Sequence, residues 1–151
     1  MVREYQEQTV YEALMDRFKL LFEEFENIYI SFSGGKDSGL LLNLVLDYRN
    51  KYYPEKPIGV FHQDFEAQYT VTTEYIERTF EKIKDQVEPY WVCLPMATRT
   101  ALSSYEMFWY PWDDKKQELW VREMPKHEYV INLENNPIRV FIGHPSCPSA
   151  E

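Results

Sequence analysis

Ser33, Gly34, Gly35, Lys36, Asp37 and Ser38 stand together between two apolar runs, residues 28–32 and 40–46. The pattern predicts a strand, a glycine turn and a helix whose first backbone N–H groups have no partner of their own. An anion can sit at such a helix start. Gly34 and Gly35 reach positive φ and carry no Cβ that would hold a phosphate away from the main chain. Lys36 adds a positive charge, while Asp37 and Ser38 are N-cap types that also suit a Mg²⁺ carried on phosphate oxygens. The run is not a Walker A loop, which needs four residues between its first glycine and a Gly-Lys-Ser/Thr end.

The elements around this run follow from spacing. Val10, Leu14, Phe18, Leu21 and Phe25 recur every three or four residues, which predicts an amphipathic helix over about 4–25, within an N-terminal unit of residues 1–27, covering a sheet. Residues 28–32 read as the first strand and 38–48 as a helix so uniformly apolar that burial is expected along most of it. Pro57 introduces a second strand, 58–62, ending in Gln63-Asp64-Phe65-Glu66. Thr72, Ile76, Phe80, Ile83 and Val87 mark a third helix whose outer side carries Glu74, Glu77, Glu81, Lys82 and Lys84. Residues 89–94 and 138–143 read as the third and fourth strands. Strands alternating with helices predict right-handed βαβ units, hence one α/β domain over residues 1–151 with a parallel sheet. Ligands of such sheets bind beyond the carboxyl ends of the strands, where the strand order reverses.

The loop matches the pattern SGGxDS, and residues 30–46 resemble the PP-loop enzymes related to phosphoadenosine phosphosulfate (PAPS) reductase and to the small subunit of ATP sulfurylase. The resemblance implies a doubly wound, Rossmann-like sheet with flanking helices, of the adenine nucleotide α-hydrolase-like type. It implies that Ser33, Gly34, Gly35 and Ser38 hold the pyrophosphate of ATP, or the sulfate-bearing end of a related nucleotide. Lys36 and Asp37 would then be the catalytic pair, the lysine offsetting charge and the aspartate holding Mg²⁺. The main chain at Ile30, Phe32, Phe61 and His62 would read the adenine, with Asp64 beside it. For Asp64 and Glu66 the competing expectation is a pair of solvated turn residues ahead of a helix. The implied chemistry is attack on the α-phosphate of ATP with release of pyrophosphate. Reduction of an adenylyl sulfate (PAPS or APS) is the alternative and needs a reactive cysteine; Cys147 is the candidate, without the Glu-Cys-Gly-Leu-His signature of those reductases. A non-catalytic nucleotide-sensing or partner-binding module is the third reading. After the fourth strand the family shows Gly-Ile-Arg and then Glu-Ser, whereas here Gly143 is followed by His144, Pro145, Ser146 and Cys147. The expectation is therefore a family domain cut short, its remaining site residues missing or supplied by another chain.

Residues 103–126 interleave Phe108, Trp109, Tyr110, Trp112 and Trp120 with Asp113, Asp114, Lys115, Lys116, Arg122 and Lys126. As a lid, the segment would stack a second substrate on Trp112 and pair its anionic part with Arg122. Otherwise it forms a second small core, or a contact with another copy or a partner protein. The composition, 44% hydrophobic and 17% aromatic, calls for a packed core rather than disorder. A net charge of −9 repels nucleic-acid phosphates. No apolar run approaches the ~20 residues of a membrane span, and the start has no signal-peptide core, so a cytoplasmic location is expected. Two cysteines, Cys93 and Cys147, cannot supply the four thiolates of an iron–sulfur cluster on a single chain. Cys93, within an apolar run, reads as a buried strand residue.

Overall fold

The computed structural model describes residues 7–100 and 102–136. Their elements are α1 (Val10–Glu24), β1 (Ile28–Ser31), α2 (Lys36–Tyr52), β2 (Ile58–Gln63), α3 (Thr70–Ile83), β3 (Glu88–Val92), β4 (Thr98–Arg99), β5 (Phe108–Trp109), a 3-10 helix (Asp114–Leu119) and β6 (Val130–Ile131). β1, β2, β3 and β6 form one parallel sheet in that spatial order, and β4 pairs with β5 in a separate antiparallel ribbon. The strand expected over residues 138–143 lies outside the described residues, as do Arg139 and Cys147.

Because the four strands are parallel, their carboxyl ends share one rim. Right-handed crossovers between successive neighbours place α2 and α3 on the same face of the sheet. There Phe32 of the first strand end meets Tyr75 and Phe80 of α3, and Phe80 packs on Trp91 of β3. The strands run in chain order, so the order reversal expected of a doubly wound sheet is not among the described residues.

Helix boundaries and one burial pattern differ from the sequence reading; α3, for instance, ends at Ile83, before Val87. α1 starts at Val10 because Thr9 and Glu12 form a capping box: Glu12 N–H donates to Thr9 Oγ1 (3.2 Å) and Thr9 N–H to Glu12 Oε2 (2.8 Å). α2 begins two residues earlier and ends four later than expected, and its apolar residues divide between two sides. Leu42, Val45, Leu46 and Tyr48 are buried, while Leu40 is 61% exposed. α1 packs on α2 through Phe18 and Phe22 against Tyr48 and Tyr53, and Lys56 Nζ donates to Phe22 O, closing the end of that layer.

Candidate functional site

Beyond β1, Phe32 N–H still donates to Phe61 O (2.8 Å) with its ring buried, and the chain leaves the sheet at Ser33. Gly34 turns at φ 77°, and a Cβ at that position would lie 2.7 Å from Ile76 Cγ1 on α3. Gly35 is the N-cap of α2 and offers no side chain to the open helix end. Among the described residues, the N–H groups of Lys36, Asp37 and Ser38 donate to no backbone acceptor. The two serine hydroxyls are used inside the turn. Ser38 Oγ donates to Gly35 O (3.0 Å) and lies 3.0 Å from Ser33 Oγ, which accepts from Gly35 N–H (3.3 Å). Lys36 and Asp37 stay exposed. The sequence thus builds an open, positively polarised helix end with one cation and one carboxylate at its mouth. No cluster of three or more His, Cys, Asp or Glu side chains able to hold a metal occurs among the described residues. A Mg²⁺ here would have to arrive on phosphate oxygens and take Asp37 as its protein ligand, which fits the way Mg²⁺ is usually held.

Asp64 and Glu66 are neither solvated turn residues nor free groups on the rim; they are 0% and 4% exposed. Asp64 Oδ1 accepts from Glu66 N–H (2.7 Å) and from Arg122 Nη2 (2.5 Å), and Oδ2 accepts from the Trp91 indole N–H (2.7 Å). Glu66 Oε2 accepts from Trp112 N–H (3.1 Å) and Oε1 from Val121 N–H (3.0 Å). Arg122 Nε closes the set on Glu66 O (2.9 Å), and its guanidinium lies 4.8 Å over the Trp112 ring. Glu66 and Trp112 both take left-handed backbone angles, φ 62° and 55°, at a cost of roughly 1–2 kcal/mol each that this hydrogen-bond set offsets.

The lid expectation is corrected accordingly. Trp112 is 1% exposed, with its indole N–H on Asp64 O (3.1 Å), Arg122 over one face and Trp120 edge-on at 5.1 Å, so it has no free face on which to stack a substrate. The segment packs into the sheet's own core, with Trp112 inside it and Trp120 against it, and is tied to the end of β2 through Asp64. Glu66, Trp91 and Val121 belong to that junction and were not separated from ordinary core or turn residues by the sequence. The one available sign was a pair of carboxylates beside a strand end, with a lone arginine in an aromatic segment to match them.

His62 is a core residue, 1% exposed. Its Nδ1 lies 2.8 Å from Phe32 O, and since a carbonyl only accepts, Nδ1 carries the proton. Burial lowers the ring's pKa, so the neutral form is favoured. Its side chain is held edge-on to Trp91 at 5.2 Å, and its backbone is paired in the ladder between β2 and β3. Cys93 is fully buried, and burial together with the Asp64 charge pushes its thiol pKa up, away from the reactive thiolate.

The chain is 36% identical over 118 residues, 78% of its length, to the Uncharacterized protein YbdN of Escherichia coli (strain K12), and spans 28% of that protein. It is 36% identical over 70 residues, 46% of its length, to the Probable FAD synthase of Caenorhabditis elegans, of which it spans 12%. No protein-family model and no solved structure matches it. No helix among the described residues is long and apolar enough to cross a membrane.

Proposed function

We propose that the chain is an adenine-nucleotide-binding domain of the PP-loop type that takes Mg·ATP at the glycine loop. The carrying observation is the uncapped N-terminus of α2 behind a glycine fixed at φ 77°, with exposed Lys36 and Asp37 at its mouth. The likeness to a protein named for making FAD, an adenine dinucleotide, supports the same reading. The backbone N–H groups of Lys36, Asp37 and Ser38 hold the β,γ-phosphates, Lys36 offsets the charge that grows as pyrophosphate leaves, and Asp37 holds the phosphate-borne Mg²⁺. An acceptor oxygen attacks the α-phosphorus, and the bond to the bridging oxygen breaks with its electron pair going to pyrophosphate. Positioning and charge carry such a step, without a protein nucleophile. Cys93 is buried and held as the thiol, so sulfite transfer from an adenylyl sulfate would rest on Cys147 alone. The reading places the chain in the cytoplasm, where Mg·ATP is abundant.

The test is thermal unfolding with and without Mg·ATP. At about a hundred times its Kd, a single-site ligand adds roughly 2.7 kcal/mol. Lys36→Ala is expected to fold normally, its side chain being exposed, and to lose most of the shift. Equal shifts in both proteins would remove the loop from nucleotide binding.

A further inference from the structure

Beyond the carboxyl ends of β3 and β6, and apart from the glycine loop, the aromatic segment and the sheet enclose a cleft of about 960 Å³. Cys93, Val130, Trp112, Trp120 and Arg122 line it, and its size is that of a pocket for a small organic molecule. Arg122 is fixed from behind: Nε is held by Glu66 O, Nη2 by Asp64 Oδ1, and the plane rests over Trp112. Nη1 takes part in no hydrogen bond among the described residues, and it is not a buried orphan, so its donors are open to a ligand. A donor held by three contacts loses little entropy when it binds an acceptor.

The charge around the cleft decides the ligand class. Asp114, Glu123 and Glu134 line it and Asp64 and Glu66 stand behind it, against Arg122, which is held in place, and Lys126, which pairs with Glu123 in solvent (3.4 Å). A further anion would meet this excess of carboxylates with the arginine's charge already shared with Asp64. A neutral acceptor meets no such penalty. We propose that the cleft binds an uncharged planar ring compound bearing a carbonyl-type acceptor, its ring against Trp120 and its acceptor on Arg122. Because the cleft is separate from the glycine loop, occupation needs no nucleotide, and this inference stands or falls independently of Mg·ATP binding.

The experiment is a titration of the ¹⁵N-labelled chain, free of nucleotide, with nicotinamide and lumichrome as neutral ring probes and with benzoate and sulfate as anions. The neutral probes are expected to move the indole N–H signals of Trp112 and Trp120 saturably, and to leave that of Trp109, which does not line the cleft, in place. Trp120→Ala should weaken binding about tenfold, the loss expected of one stacking contact, and Trp109→Ala should not. Should Trp120→Ala fail to fold, the signals moved in the unaltered chain decide by themselves. The proposal is overturned if no neutral probe gives saturable shifts at millimolar concentration, if benzoate or sulfate saturates the same signals at lower concentration, or if a folded Trp120→Ala binds as well as the parent.

Discussion

Gly34 meets two demands at once, a positive φ and the approach of Ile76, whereas Gly59 meets one. A Cβ at Gly59 would fall 2.2 Å from the Tyr29 ring, but that ring is 60% exposed and can swing into solvent. Gly34→Ala should therefore cost more than Gly59→Ala, by about 1–2 kcal/mol from backbone strain alone, and should also lower Mg·ATP affinity because the loop must shift. Urea unfolding of the two variants side by side measures the first effect and calorimetric titration the second. Equal losses in both would show that the turn is not fixed by its glycine. His62 makes a different prediction. Its folded pKa is lowered by burial, so the unfolded chain takes up the proton first as pH falls. Its contribution to stability is complete above the ordinary value near 6.5 and is lost as pH drops below it. His62→Gln should flatten the decline of unfolding free energy between about pH 7 and 5 relative to the parent chain, even if it lowers the curve as a whole. Parallel curves would refute the assignment.

Between elements, the connection that matters is the one from the end of β2 to the segment after β5. Asp64, Glu66, Trp112 and Arg122 hold one another across 46 to 58 positions of sequence. Asp64→Asn removes one half of a buried ion pair, a change that typically costs about 3–5 kcal/mol. The expected outcome is a large drop in the urea midpoint together with early proteolytic cutting within residues 111–123, while cutting elsewhere waits for global unfolding. Unchanged protection of that segment would mean that its apolar contacts suffice without the pair. This junction was the part of the molecule least legible in sequence. Periodicity disclosed the three helices because each is a local pattern, and Thr9 with Glu12 even carried the capping-box spacing that fixes the start of α1. The glycine loop was legible for the same reason, six consecutive residues with one geometry. β4, β5 and β6 are two residues each, too short for any alternation to register. The roles of Asp64 and Arg122 depend on a contact between distant segments, and residue type alone left both open to a ligand-binding reading.

For the whole molecule, the parallel sheet gives the two candidate sites a common rim and separate supports. The glycine loop rests on β1, α2 and α3; the cleft rests on β3, β6 and the aromatic segment. Asp64, at the end of β2 between them, touches the second group through Trp91, Trp112 and Arg122, and lies two residues from His62, whose ring is bonded to Phe32 at the start of the loop.

The left-handed turns at Glu66 and Trp112 have a bearing on how such a protein can be altered or inherited. Each turn is tolerable only while the other segment supplies its hydrogen bonds, so neither piece can be transplanted alone. A graft of residues 111–123 onto another parallel-sheet scaffold would need the Asp-x-Glu of residues 64–66 and the Trp91 indole carried with it. A lineage that dropped the aromatic segment would be left with two unneutralised carboxylates at the end of β2, and would have to replace them in the same step.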